Sequence, residues 1–210
     1  MKLTESERNN CIPMHLPISG GILAGGKSRR IGQDKAFLKS GEHSFIEHLI
    51  EELSGCEEVI ISAAQPGLYE DLGLPIVYDE HMDFGPPEGI RQILRAANED
   101  YVFICACDMP FIRRELVEFM ASYISSDYEC YIIVDEDHLY PLCGIYQRSV
   151  IPVVEDLIRE GEHRIRELYK RRSTKFISLE YTWFGKDVLQ DIDTQEEYDN
   201  YGGREIKLFR

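Results

Sequence analysis

Asp108 closes the apolar run "YVFICACD", and far upstream the stretch "GGILAGGKSRRIGQDKAFL" joins a glycine pair to a string of cations. Lacking Cβ atoms, Gly25 and Gly26 are expected to turn sharply at φ > 0 and bring backbone N–H groups against a ligand. Lys27, Arg29, Arg30 and Lys35 supply countercharge for a triphosphate. Mg²⁺ prefers oxygen ligands and usually takes one or two carboxylates plus substrate phosphates. Asp108 is expected to be such a ligand, at the carboxyl edge of a sheet, because Pro110 follows and cannot continue the ladder. Its competing role, capping a helix near Arg113, is disfavoured by the intervening Met109-Pro110-Phe111.

Gly21 to Ser28 also fits the G-x-x-x-x-G-K-[ST] phosphate-loop pattern. That loop needs a buried strand before Gly21 and a helix opening at G-K-S. "MHLPISG" leaves little room for a central strand, and the apolar run Ile22-Leu23-Ala24 falls inside the supposed loop. Gly32 weakens any helix beyond Ser28. The strand is expected to run into Leu23-Ala24, with Gly25-Gly26 opening a cationic loop that reaches Lys35.

The elements that would position these residues alternate along the chain. Strands are expected over Ile18–Ala24, Val59–Ala63, Pro75–Tyr78, Tyr101–Ala106, Cys130–Val134, Leu139–Tyr146 and Lys175–Leu179. Helices are expected over Ser44–Leu53, Gly89–Ala97, Arg113–Ser122, Val150–Glu160, His163–Arg171 and Gln195–Tyr201. In the first of these, Phe45, Ile46, Leu49, Ile50 and Leu53 share one face behind a Ser44 N-cap. The alternation implies one α/β domain over 17–210, after a loose polar tail at 1–16. It should be a three-layer α/β/α, Rossmann-like domain with a mainly parallel sheet and a late antiparallel hairpin across "DEDH". Ligands of such sheets bind outside the strands' carboxyl ends, here the loops after Ala24, Ala63, Tyr78 and Ala106.

With 23 basic against 38 acidic side chains, the net charge of −15 argues against general nucleic-acid binding. Eleven of the basic residues fall in two windows, Lys27–Lys39 and Arg164–Lys175. The second reads by itself as a solvated face. The six cysteines form no C-x-x-C pair and fit free thiols in a reducing cytoplasm, Cys105 and Cys107 as core filler. No secretory signal or membrane-length apolar run is seen, so a cytoplasmic protein is expected.

"LAGGKSRRIGQDKAFL" resembles the signature loop of the molybdenum cofactor guanylyltransferases, the MobA family of the nucleotidyltransferase superfamily, with Ile31 in place of a methionine. "VYDEHMDFGPPEG", "CACDMPFI", "YPLCGIY", "REGEHRIREL" and "DIDTQEEY" resemble further family segments in the same order. The resemblance implies a nucleotide-diphospho-sugar transferase-like fold and a Mg²⁺-dependent transfer of GMP from GTP to the terminal phosphate of molybdenum-molybdopterin, releasing pyrophosphate. It implies that Leu23, Ala24, Gly25 and Gly26 hold the nucleotide, that Lys35 reaches its phosphates, and that Asp79 and Asp108 belong to the same site. Arg29 would stabilise the leaving pyrophosphate. Asp193 would offer the metal a second oxygen or instead cap the closing helix, and the second basic window would help hold the pterin phosphate. Cofactor-delivery proteins and recipient molybdoenzymes are the implied protein partners. The chain departs from the family at Ser62, where an asparagine is common, and at Asp191 and Asp193. Glu88 departs too, placing negative charge near the expected acceptor region.

Three rivals remain at this level. A cytidylyltransferase for the same pterin would usually read L-A-A-G at Gly25. A catalytically silent nucleotide-binding protein would bind GTP without releasing pyrophosphate, and a phosphate-loop GTPase would release phosphate.

Overall fold

An interior strand of the sheet, paired on both edges, carries Gly20 and Gly21. The computed structural model describes residues 15–25, 35–40, 43–136, 138–180 and 182–201. In chain order the elements begin with β1 (Leu16–Leu23), a short hairpin β2 (Lys39–Ser40) and β3 (His43–Ser44), α1 (Phe45–Glu52), β4 (Cys56–Ala63) and β5 (Ile76–Tyr78). There follow α2 (Pro86–Ala96), β6 (Tyr101–Ala106), α3 (Arg114–Ala121), β7 (Cys130–Asp135), β8 (His138–Gln147), α4 (Ile151–Glu160), β9 (Thr174–Ser178) and α5 (Gln195–Tyr201). Seven strands form the main sheet in the order β5-β4-β1-β6-β8-β7-β9. Only β8 runs against its neighbours, so the mainly parallel sheet with a late hairpin is borne out.

Alternation along the strands builds the layers. Phe103 and Cys105 of β6 enter one core with Ile46 and Leu49 of α1, Leu53 at its C-cap and Leu116 of α3. Val102 and Ile104 enter the other, with Ile90, Ile93 and Leu94 of α2 and Val154 and Leu157 of α4. A parallel sheet covered on both faces needs this near-continuous apolar pattern. Gly21 pairs in mid-strand with Ile60 and Ile104, and a Cβ there would lie 2.7 Å from Ile93 Cγ2. This glycine lets a helix approach the sheet and opens no phosphate loop. "MHLPISG", expected to leave little room for a central strand, nonetheless enters β1 at Leu16, with Pro17 in its irregular first part, where the register shifts between Leu16 and Ser19.

Local chemistry accounts for most boundaries. Ser44 and Glu47 form a reciprocal capping box at α1, as the sequence suggests. Helix α2 begins three residues before the expected Gly89, because Pro86 and Pro87 fit the first turn, where no N–H is needed. The expected helix over His163–Arg171 is instead a 3₁₀ helix, Ile165–Lys170. Its buried residues, Ile165 and Leu168, repeat every three, the 3₁₀ period. No described helix is long and apolar enough to cross a membrane. Five cysteines are free and buried, in line with core filler; Cys11 lies outside the described residues.

Candidate active site

Three backbone bonds extend the ladder past the strand ends. Ala24 N donates to Ser62 O at 2.8 Å, Cys107 N to Leu23 O at 3.0 Å and Asp79 N to Ala63 O at 3.1 Å. The carboxyl ends of β1, β4, β5 and β6 therefore finish in step, and Gly25, Ser62, Asp79 and Asp108 meet around a pocket of about 180 Å³. Gly89 forms its floor: a Cβ there would lie 2.7 Å from Leu23 Cδ2 and 2.8 Å from Ser62 Oγ. Gly25 does not have the expected positive φ. Its requirement is space, since a Cβ would lie 3.3 Å from Ala64 N. The Ala24 amide and carbonyl both have protein partners, the carbonyl accepting from Tyr69 Oη at 2.9 Å. Tyr69, in an unpatterned loop, carries no sequence signal for this role.

Lys35 lines the same pocket. Its Nζ donates to Asp108 Oδ2 at 3.0 Å and also to Asp193 Oδ1. Burial works against the ammonium, but the two carboxylates outweigh it and raise the Lys35 pKa. A satellite cluster explains why these segments meet. Leu38 and Phe45 follow Lys35, Phe111 follows Asp108, Ile192 precedes Asp193, and the four side chains bury together. Full burial of such side chains is worth roughly 1.5–3 kcal/mol each. Ile192 N also donates to Asp108 O at 2.9 Å. Asp193 does not cap α5. Thr194 and Glu197 form that capping box, which leaves the Asp193 carboxylate to Lys35.

Two carboxylates aimed at one cationic atom are a donor set that suits Mg²⁺. Asp108 is not a helix cap either: α3 starts after Arg113, without a side-chain cap. Asp191 adjoins the pair, and burial, then Asp193 and Asp108, push its carboxyl up.

A second cleft of about 780 Å³ opens on the other side of Asp108. Asp187, Asp191, Asp193, His138 and Tyr140 face it, and Ala106, Asp108 and Leu142 line both cavities. Leu142, the ridge between them, belongs to the "YPLCGIY" segment.

Some expectations change here. Glu88 is fully buried and faces neither cavity. It accepts from Arg91 at 2.6 Å, Gln92 at 2.8 Å and the Glu80 amide at 2.9 Å, clamping the loop after β5. Burial alone would raise its pKa; these donors reverse the sign and hold it at about 2. Glu80, His81 and Glu88 cluster like metal ligands, but the Arg91 guanidinium contacts all three and supplies the positive charge there. The second basic window faces neither cavity. Arg164, Lys170, Arg171 and Arg172 pair with Glu162, Glu167, Glu160 and Glu129, and Lys175 lies over Tyr128. It is a paired surface, as the charge pattern alone suggested. Gly26 and Arg29 lie outside the described residues.

A mainly parallel sheet with one reversed strand, and a glycine-loop pocket at its carboxyl edge, define a nucleotidyltransferase-type α/β domain. Residues 20–175 match the MobA-like NTP transferase domain, and the chain belongs to that family. It is 40% identical over 154 residues to a probable molybdenum cofactor guanylyltransferase of Clostridium perfringens, covering 72% of this chain and 77% of the relative. It is 32% identical over 188 residues to the molybdenum cofactor guanylyltransferase of Syntrophotalea carbinolica, covering 87% and 90%. Its fold resembles the molybdopterin-guanine dinucleotide biosynthesis protein A of Archaeoglobus fulgidus, with a TM-score of 0.77 at 21% identity over 88% of this chain and 97% of that one.

Proposed function

We propose that the chain transfers GMP from GTP to the terminal phosphate of molybdenum-molybdopterin and releases pyrophosphate. The observation that carries this reading is Asp108 in the wall shared by two cavities, with the Lys35 ammonium on its carboxylate. One cavity suits the nucleotide and the other the acceptor, so the α-phosphate and the attacking phosphate would meet at Asp108. The relatives' names support guanine and the pterin as the substrates.

In the reaction an acceptor phosphate oxygen bonds to the α-phosphorus of GTP as the bond to the β-bridging oxygen breaks. No protein nucleophile is needed; positioning and countercharge carry the rate. Lys35 would follow the charge onto the phosphates, with Arg29 on the leaving pyrophosphate. Asp108 and Asp193 would hold Mg²⁺, which when bound neutralises phosphoryl oxygens. Asp79 and Gly25 would bound the nucleoside end. The setting would be the cytoplasm, with delivery and recipient molybdoenzyme proteins as partners.

The test is turnover with molybdenum-loaded molybdopterin and Mg²⁺ in separate GTP, CTP and ATP reactions. Pyrophosphate release with GTP alone is expected. Preference for CTP would make the chain a cytidylyltransferase, and GTP binding without turnover a silent nucleotide-binding protein.

A further inference from the structure

Strand β8 leaves its partner β7 where the two cavities meet. Ile132 pairs with Gly144 but the next residue, Ile133, pairs with Tyr140, so Pro141, Leu142 and Cys143 have no partner on β7. Cys143 still pairs with Cys105 of β6, which leaves Pro141 and Leu142 to arch over the carboxyl end of β6. This arch places Leu142 between the cavities and Tyr140 and Pro141 along the larger one. A detached segment loses ladder bonds and requires other support.

Tyr146 supplies it. Its ring is fully buried, and Tyr146 Oη donates to Pro141 O at 2.6 Å. That commits its one proton, so Tyr169 must be the donor in the 2.8 Å contact between the two hydroxyls. The 3₁₀ segment carrying Tyr169 is thereby joined to the arch. Gly144 makes room: a Cβ there would lie 2.7 Å from Ile132 Cδ1 and 3.3 Å from the Tyr146 ring. Neither tyrosine lines either cavity, so the pair acts through the arch.

We propose that Tyr146 and Tyr169 are positioning residues that fix the Pro141–Leu142 ridge and so set acceptor binding in the larger cleft. The assignment of that cleft rests on the function proposed above. Two readouts on the full-length protein test the idea. In Tyr146→Phe the ring stays and the hydroxyl goes. The KM for molybdenum-loaded molybdopterin should rise about fivefold to tenfold, the scale of one lost hydrogen bond. The Kd for GTP with Mg²⁺ should stay within about twofold of wild type. Amide exchange in a peptide spanning 139–144 should quicken while β6 keeps its protection. Tyr169→Phe should act in the same direction more weakly. Because the hydroxyls act in series, the double variant should match Tyr146→Phe.

Unchanged exchange over 139–144 in Tyr146→Phe overturns the proposal. So does a parallel loss of GTP and acceptor affinity, which would report general loosening. If wild type does not transfer GMP, the proposed function fails and the exchange comparison still decides whether the tyrosines hold the ridge.

Discussion

Lys35 Nζ lies 3.0 Å from Asp108 Oδ2 and also bonds Asp193, so one ammonium joins parts of the chain 73 and 158 residues away from it. The ammonium occupies the point on which two carboxylates converge. A divalent cation held by them must share or take that position, and Lys35 would then turn to the phosphates.

Lys35→Met should therefore separate two effects. Turnover should fall by about 10²-fold or more, as for loss of a charge aimed at a phosphoryl transition state. Mn²⁺ binding without nucleotide, followed calorimetrically, should tighten severalfold, because the Lys35 ammonium no longer competes for the two carboxylates. Weaker Mn²⁺ binding would place the metal elsewhere. Lys27→Ala should cost much less activity; the reverse ranking would reopen the phosphate-loop reading.

Glu88 and Asp79 should give opposite pH dependences. Hydrogen bonds hold folded Glu88 at about 2, below the ordinary 4.5 of a glutamate, despite burial. Its stabilisation is fully present above the unfolded pKa and is lost as pH falls through about 2. Burial, then the Glu88 charge, raises folded Asp79 to about 6 from 3.8. Its favourable contribution is present below the unfolded pKa and lost as pH rises through about 6. Chemical denaturation should show Glu88→Gln destabilised by on the order of 2–4 kcal/mol at pH 7, because Arg91 stays buried with less compensation. Asp79→Asn should gain on the order of 1–2 kcal/mol at pH 8 and little at pH 4. Equal effects at both pH values would remove Asp79 as the titrating group.

Gly25→Ala tests whether space, rather than backbone conformation, is needed at the loop entrance. The new Cβ would stand 3.3 Å from Ala64 N, so the β1 and β4 loops must part by a few tenths of an ångström. The GTP-over-CTP preference in binding should fall severalfold with thermal stability close to wild type. A large loss of stability would show instead that the fold depends on the glycine.

How far the sequence could be read depended on where each signal is encoded. Apolar periodicity is local, so β6 falls at its expected bounds, Tyr101–Ala106, and α1 carries its Ser44 cap. The meeting of the strand ends followed from the parallel topology, which is why Gly25, Asp79 and Asp108 share a pocket. Glu88 could not be placed this way: its role depends on Arg91, one turn on, and on a loop amide eight residues back. Tyr69 and Tyr146 act through hydroxyls bonded to backbone carbonyls, which no residue pattern announces. The Pro141–Leu142 arch was hidden for a related reason, since an apolar run does not encode a register shift.

The most direct test of the account follows the two ends of the triphosphate in one reaction. Wild-type protein, Mg²⁺ and molybdenum-loaded molybdopterin are given GTP labelled at the α-phosphate or, separately, at the γ-phosphate. The α label should pass into the pterin dinucleotide and the γ label into pyrophosphate, with both transfers abolished in Asp108→Asn. Release of the γ label as orthophosphate, or α-label transfer undiminished in Asp108→Asn, would contradict it.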